Sequence, residues 1–395
     1  MIDLILMAIC FMSGALIVYH HVGYPLILRW YSRIHPSMKI KEVWRGYKVA
    51  EADLDLPSVT ILVPAFNEEQ WIADKIRNLA ALDYPRNKLK VIIACDGCSD
   101  HTVNIAQMTI QEAICSDIHI EIHDHQQNRG KVAIVNEELQ GIDSDITALS
   151  DVSALISLDA LLIASEHFSD KTVGVVNATY CLCPSENQGE KSYWAYQTVL
   201  KQQEASFGSS LGAHGAFYLF RTHLFETLPS NTINDDFILP MQIVKKGYHA
   251  DYDSNMVALE MEQTNEQNDF RRRLRISAGN MQQAIELFGL FNPRFKGVAF
   301  AFFSGKGLRL LTPYLMLTCL LTSLLLRHHV VFELLFWLQI SVYITGVVGY
   351  LLPKKLSLKP ITLVSYLVVG HYANFVGGLR YLLGFENSHW TRVNR

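Results

Sequence analysis

The chain has 395 residues, enough for one large or two medium domains. Charged residues are 18% of it, below the usual ~25%, and the mean hydropathy of +0.14 argues against a wholly soluble protein. The net charge of −4 gives no basis for nucleic-acid binding. Seven scattered cysteines (Cys10, Cys95, Cys98, Cys115, Cys181, Cys183 and Cys319) fit a reduced compartment rather than a disulfide framework. Cys95 and Cys98 form a C-x-x-C, but no second ligand pair follows at zinc spacing.

The first apolar stretch covers residues 2–28, longer than the ~20 residues a helix needs to cross a bilayer. It lacks a basic leading region and a small-residue cleavage site, so it reads as an anchor over residues 1–30. Arg29, Arg33, Lys39, Lys41 and Arg45 follow it in a linker over residues 31–56. By the positive-inside rule they put the soluble region in the cytoplasm.

Residues 57–285 alternate short apolar runs with helical stretches, which predicts an α/β domain with a largely parallel sheet and helices on both faces. Strands are expected at 59–63, 91–95, 118–122, 146–149, 173–179 and 216–220. Asn67 and Ser99 are placed to cap the helices after the first two. Asn67, Asp96 and Asp151 each fall just past a strand end, where open parallel sheets bind ligands.

Residues 286–307 then suggest an amphipathic helix on the inner leaflet, with Arg294 and Lys296 among aromatics. Apolar stretches at 308–326, 330–352 and 361–383 make a C-terminal membrane region, 308–395, of two to three spans. Lys306, Arg309, Lys354, Lys355 and Lys359 suit two crossings with their ends inside. The last stretch is contradictory. Parity sends the C-terminus outside, whereas Arg380, Arg392 and Arg395 favour the inside, and His371, Asn374, Gly377 and Gly378 suit a re-entrant or interfacial ending equally well.

Five motifs in the soluble region carry the chemistry. Val63-Pro64-Ala65-Phe66-Asn67-Glu68 and Asp96-Gly97-Cys98-Ser99-Asp100 follow the first two strands. Asp151 begins Asp151-Val152-Ser153, Asp235-Asp236 is a carboxylate pair, and Arg271–Arg275 reads R-R-R-L-R. Singly each is weak: Asp-Gly is also a turn signal, Asp235 an ordinary first-turn helix acid, and the arginine run a lipid-facing basic surface. Together, in this order and between apolar flanks, they suit a site where a diphosphate needs counter-charge and a sugar hydroxyl needs a base.

In these motifs the chain resembles the membrane-embedded family 2 glycosyltransferases, which include cellulose and poly-N-acetylglucosamine synthases. The resemblance implies a GT-A (Rossmann-like) cytosolic domain flanked by transmembrane helices in an inner, plasma-membrane multi-pass protein. It implies an inverting transfer from a nucleotide-diphosphate sugar, a UDP-sugar in most of the family, with Mg²⁺ or Mn²⁺. The acceptor would be lipid-linked or a glycan, amid membrane lipids, in surface or exopolysaccharide synthesis. A processive synthase that translocates its polymer, and an inactive scaffold of a polysaccharide complex, are the alternatives.

Carried over residue by residue, Pro64, Asn67, Glu68, Asp96, Lys131 (from Arg129-Gly130-Lys131), Asp151, Arg272 and Arg273 would face the donor. Asp151 would also hold the metal. Asp236 would be the general base, Asp235 its neighbour that orients loop or acceptor, and Arg275 would neutralise the leaving diphosphate. Gly212, His214, Gly215 and Ile276 would meet the acceptor. Five positions depart from the family pattern: Cys98 replaces a Ser, Ser153 the second Asp of D-x-D, Asp235 a Glu, Arg272 a Gln, and Ile276 the Trp that stacks on an acceptor sugar. Asn177 and Tyr180 are further candidates for shaping the donor pocket.

Overall fold

A computed structural model of the chain describes residues 1–36, 45–183, 188–262, 266–352 and 358–385, without the side chains of 188–193, 266–269 and 359. Lys39, Lys41, Lys354, Lys355, Arg392 and Arg395 lie outside the described residues. The chain divides into two compact units. One joins Met1–Trp30 to Glu266–Glu386, and the other holds Tyr31–Asn265.

The helices in chain order are α1 (Ile2–Val18), α2 (Tyr24–Ile34), α3 (Ile72–Ala80), α4 (Thr102–Thr109), α5 (Lys131–Gln140), α6 (Ala160–Phe168), α7 (Gln188–Ala205) and α8 (Asp235–Lys245). They continue with α9 (Glu266–Glu286), α10 (Gly297–Ala301), α11 (Leu308–Leu325), α12 (Val330–Leu351) and α13 (Lys359–Leu382). The strands are β1 (Val59–Ala65), β2 (Leu89–Asp96), β3 (His119–His125), β4 (Ile146–Ser150), β5 (Ala154–Ile156), β6 (Val173–Leu182), β7 (Phe217–Arg221) and β8 (His249–Glu260).

Within the second unit the strands form one sheet in the order β3-β2-β1-β4-β7-β6-β8-β5. Each residue of β1 is buried, as expected of a central strand covered on both faces. α3 covers it through Ile72, Lys75, Ile76, Leu79 and Ala80, a buried stripe at helical spacing. All six expected strands form. β5, only three residues long, and β8, which carries Asp251, Asp253, Ser254 and Asn255, form in addition.

The sheet is mixed rather than largely parallel. β3, β2, β1 and β4 are parallel, but β7 runs antiparallel to both β4 and β6. The apolar run of β7 is buried in either direction, so its periodicity carries no sense of orientation. Neither expected helix cap forms. α3 starts only after Trp71 and α4 after His101, and no side chain caps either helix. Asn67 instead takes a left-handed backbone (φ 55°), and its Oδ1 accepts the Ser99 N–H at 2.8 Å, tying the β1 and β2 loops together.

Among the described residues, three helices are long and apolar enough to cross a membrane: Ile2–Ile34, Gly297–Leu325 and Val330–Leu351. Residues 286–307 are not one amphipathic helix. They break into turns at Phe288–Phe291 and Pro293–Phe295, the five-residue α10 and a wide turn at Phe302–Gly307. Pro293 bars a helical conformation at Asn292, whose side chain accepts the Arg294 N–H. The fourth apolar stretch is helical throughout as α13 but is not among the three spanning candidates. Gly377 and Gly378 lie against α9: a Cβ on Gly377 would come within 2.6 Å of the Leu274 carbonyl oxygen.

Candidate active site

The strand ends of the sheet unit build the site. β2 ends at Asp96, which is fully buried. Its Oδ1 accepts the backbone N–H of Arg129 at 2.9 Å and its Oδ2 that of Gly130 at 2.7 Å. A Cβ on Gly97 (φ +63°) would sit 2.3 Å from the Asn128 nitrogen, so only glycine lets the two loops touch. Asp96 thus fixes the turn that delivers Lys131 to the start of α5. Pro64 is buried in β1, two residues beyond the last residue paired with β4, where its missing N–H costs nothing. The Glu68 N–H donates to Thr102 Oγ1 at 2.7 Å.

Asp151 follows β4, its backbone N–H held by the carbonyls of Gly215 and Ala216. Lys131 Nζ lies 2.9 Å from Asp151 Oδ1 and 3.6 Å from Asp235 Oδ2, bridging two carboxylates from distant parts of the chain. Asp235 and Asp236 open α8, where the helix dipole favours negative charge. Asp236 Oδ2 accepts the Gly215 N–H at 3.2 Å, and its carbonyl accepts the Ala213 N–H at 2.8 Å. A Cβ on Gly215 would press to 3.0 Å from Asp151 Oδ2, so a small residue lets the β4 end and the Asp236 loop meet.

Charges here are far from their solution behaviour. Burial, then repulsion from Asp235, pushes the Asp236 carboxyl up to about 6, while Lys131 and Lys201 oppose the rise. Burial works on Asp151 in the same sense, but the adjacent Lys131 overrides it and holds that carboxyl below the usual range. Burial would discharge Lys131, yet Asp151 and Asp235 keep its ammonium more firmly protonated than in water. The neighbouring carboxylates are therefore pushed apart, one toward a proton acceptor and one toward a permanent anion, as in sites that divide base and ligand roles.

Residues 57–279 match the family described as Glycosyltransferase like family 2, over more than half of the chain. The chain belongs to the family 2 glycosyltransferases. Among curated relatives it is 27% identical over 195 residues to a beta-monoglucosyldiacylglycerol synthase of Trichormus variabilis, covering 48% of this chain and 41% of that protein. It is 24% identical over 211 residues to the poly-beta-1,6-N-acetyl-D-glucosamine synthase of Staphylococcus aureus, covering 50% of this chain and 48% of that one. The matched part is thus under half the length of either relative. Among solved structures, the mannosyltransferase PcManGT of Pyrobaculum calidifontis, in complex with GDP-Man and Mn²⁺, superposes with a TM-score of 0.69. It is 20% identical, with 96% of this chain and all of that one covered. The likeness places the glycosyltransferase in the GT-A fold.

The residues present fit a divalent cation. Asp235 Oδ2 is buried with no hydrogen-bond partner, and the Lys131 ammonium between Asp151 and Asp235 marks a position that favours positive charge. Among the described residues Asp151, Asp235 and Asp236 belong to no cluster of three metal-ligating groups, so an ion held there would take further ligands from a substrate diphosphate.

The structure brings Lys131, Asp151, Gly215, Asp235 and Asp236 together, with Gly212 and His214 on the same loop. Gly212 has φ +66°, and a Cβ would collide with the Phe237 ring at 2.1 Å. His214 stacks on Tyr180 (centroids 3.7 Å apart) and meets Trp194 edge-on, while its Nδ1 accepts the Ala216 N–H. Asn177 is buried, its Nδ2 donating to Ser210 Oγ while its Oδ1 has no hydrogen-bond partner. Arg272, Arg273, Arg275 and Ile276 lie on α9 in the helical unit, where Arg273 covers the Tyr366 ring at 4.3 Å.

Sequence reasoning missed two lysines, one fully buried and one half-buried. Lys75, fully buried, donates to Ser150 Oγ at 2.6 Å and to the Ala154 carbonyl, bracing both ends of the turn that carries Asp151. Burial pulls its ammonium down to about 7, against the attraction of Asp151. Lys201 donates to the carbonyls of Leu211 and Gly212 at 3.0 and 2.9 Å, bracing the loop that packs on Asp236. Lys75 was detectable in principle, because it occupies an apolar-stripe position of an amphipathic helix.

Proposed function

We propose that this glycosyltransferase transfers one or a few sugars, with inversion, from a nucleotide-diphosphate sugar to a membrane-associated acceptor, with Asp236 as the base. The observation that carries the reading is a half-buried carboxylate raised to about 6 beside a carboxylate pair bridged by Lys131. A sugar hydroxyl is a poor nucleophile at neutral pH, and a base of this strength can take its proton as attack develops.

The acceptor oxygen bonds to the anomeric carbon, Asp236 receives the hydroxyl proton, and the bond from that carbon to the diphosphate oxygen breaks. The nucleoside diphosphate leaves with the electron pair, and attack from the opposite face inverts the centre. Lys131 leaves its two carboxylates to meet the incoming diphosphate, where its charge offsets that of the leaving group. Asp151, with Asp235, would hold Mg²⁺ or Mn²⁺, which supplies Lewis-acid stabilisation of the same diphosphate. PcManGT, with Mn²⁺ in its complex, supports the ion type.

A lipid-linked or glycan acceptor is the reading that the two curated relatives support, one named for a glycolipid and one for a polysaccharide; a UDP-sugar donor rests on the family resemblance. Three helices apolar enough to span support a multi-pass inner-membrane protein with its catalytic unit in the cytoplasm. Domains at 1–30, 31–56, 57–285, 286–307 and 308–395 remain part of this proposal. The test is a panel of nucleotide sugars with membrane lipid extract, read as nucleotide release. One donor should stand out and depend on the extract; equal, extract-independent release from every donor would contradict the reading.

A further inference from the structure

At the end of the helical unit where α1 begins, Asp3 in the first turn of α1 faces the turn that joins α11 to α12. His328 Nε2 lies 2.9 Å and His329 Nε2 3.6 Å from the same oxygen, Asp3 Oδ2. All three ligand atoms lie within 4.8 Å of one another, the only such group of three among the described residues. We propose that Asp3, His328 and His329 bind a divalent transition-metal ion of the zinc type.

Geometry is the first reason. Ligands ~2.0–2.1 Å from a tetrahedral zinc lie ~3.3 Å from one another, and the separations of 2.9 and 3.6 Å straddle that value. The second reason is an unmet need. One His–Asp hydrogen bond satisfies His328, but His329 Nε2 is hidden from solvent and has no hydrogen-bond partner. An ion between the three groups satisfies both rings and the carboxylate at once. The adjacent cation does not compete for the carboxylate: the Arg327 guanidinium lies 3.9 Å from Glu333 and over the Phe336 and Trp337 rings. Two imidazoles and one carboxylate select zinc, nickel, cobalt or copper over magnesium or calcium. With the three side chains 43–54% exposed, water can supply the fourth ligand. A bound ion would clamp the start of α1 to the α11–α12 turn, reinforcing the seam where Cys10 and Cys319 pack with Leu326 and Phe332.

The test uses the full-length protein in detergent, its affinity tag removed and its metal stripped, with Zn²⁺ titrated by calorimetry. The wild type should bind one equivalent that survives in Asp151→Ala and is lost in His328→Ala/His329→Ala. Asp3→Asn should weaken it more than about tenfold, at least the cost of losing a supporting partner of a metal ligand. Equal stoichiometry and affinity in the wild type and a folded double variant would overturn the proposal. Should the double variant not fold, Co²⁺ added to the wild type decides. Visible bands of a four-coordinate ion, retained with saturating Mn²⁺, support the site; their absence overturns it.

Discussion

The most distinctive consequence of the site is a pH limb that belongs to Asp236. Its carboxyl stands near 6 because burial and the Asp235 charge outweigh Lys131 and Lys201. The base works only when deprotonated, so activity is lost as pH falls through that value. A carboxylate with pKa about 6 is free in roughly nine molecules in ten near pH 7 and about one in eleven near pH 5. kcat/KM, which reports the free enzyme, should therefore drop roughly tenfold across that interval. The assay is nucleotide release at saturating Mn²⁺ and limiting donor. Lys201→Met removes a cation that lowers the Asp236 pKa, so its limb should move to higher pH. Asp236→Asn should keep the fold and the donor affinity, lose about 10²–10⁴ in turnover, and lose the limb. A flat wild-type profile from about pH 5 to pH 8, or a limb that persists in the weakened Asn variant, would refute the assignment.

Other expectations follow from the same geometry. Lys75→Met keeps the volume but strips a donor from the buried Ala154 carbonyl, so it should cost about 1–3 kcal/mol in denaturant unfolding and raise the donor KM through the loosened Asp151 turn. Mn²⁺ should bind the nucleotide-loaded enzyme and only weakly the empty one by calorimetry, and Asp151→Ala should abolish metal-dependent donor binding. His167, buried between Asp251 at 2.8 Å and Asp253 at 2.9 Å, is discharged by burial but held protonated by those carboxylates up to about 9. Its raised value contributes stability that is complete below about pH 6.5 and lost as pH rises through 9. The full difference is about 3 kcal/mol, readable as a pH-dependent melting midpoint that His167→Gln flattens. Ile276 offers no ring face on which a sugar could stack, so products sized by mass spectrometry after supplying one donor should carry one or a few sugars; a high-molecular-weight ladder from the purified protein would promote the processive alternative.

The sheet was legible wherever a strand is a continuous apolar run, as in β1, β2 and β4. β8 escaped because Asp251, Asp253, Ser254 and Asn255 break its pattern, and β5 because three residues make no period. Strand direction escaped too, since a fully buried strand such as β7 reads the same from either end. Of the site, Asp151 was legible because ligands gather where parallel strands end; Asp235 and Asp236 entered through the order of the motifs, and Lys131 through the family resemblance. Asp96, expected at the donor, also holds the Arg129 and Gly130 amides with its two oxygens, a contact between loops that no local pattern encodes. Lys75 and Lys201 brace the site through backbone carbonyls, and a carbonyl acceptor leaves no trace in side-chain identity.

The central claim is sugar transfer with inversion to a membrane acceptor by Asp236. It is tested most directly by supplying the preferred donor, labelled in its sugar, with membrane lipid extract, and following the label and its anomeric configuration by NMR. The account predicts label in the lipid phase with the anomeric centre inverted relative to the donor, present with the wild type and reduced at least about a hundredfold with Asp236→Asn. Label recovered only as free sugar in water, or a lipid product that retains the donor configuration, would contradict it.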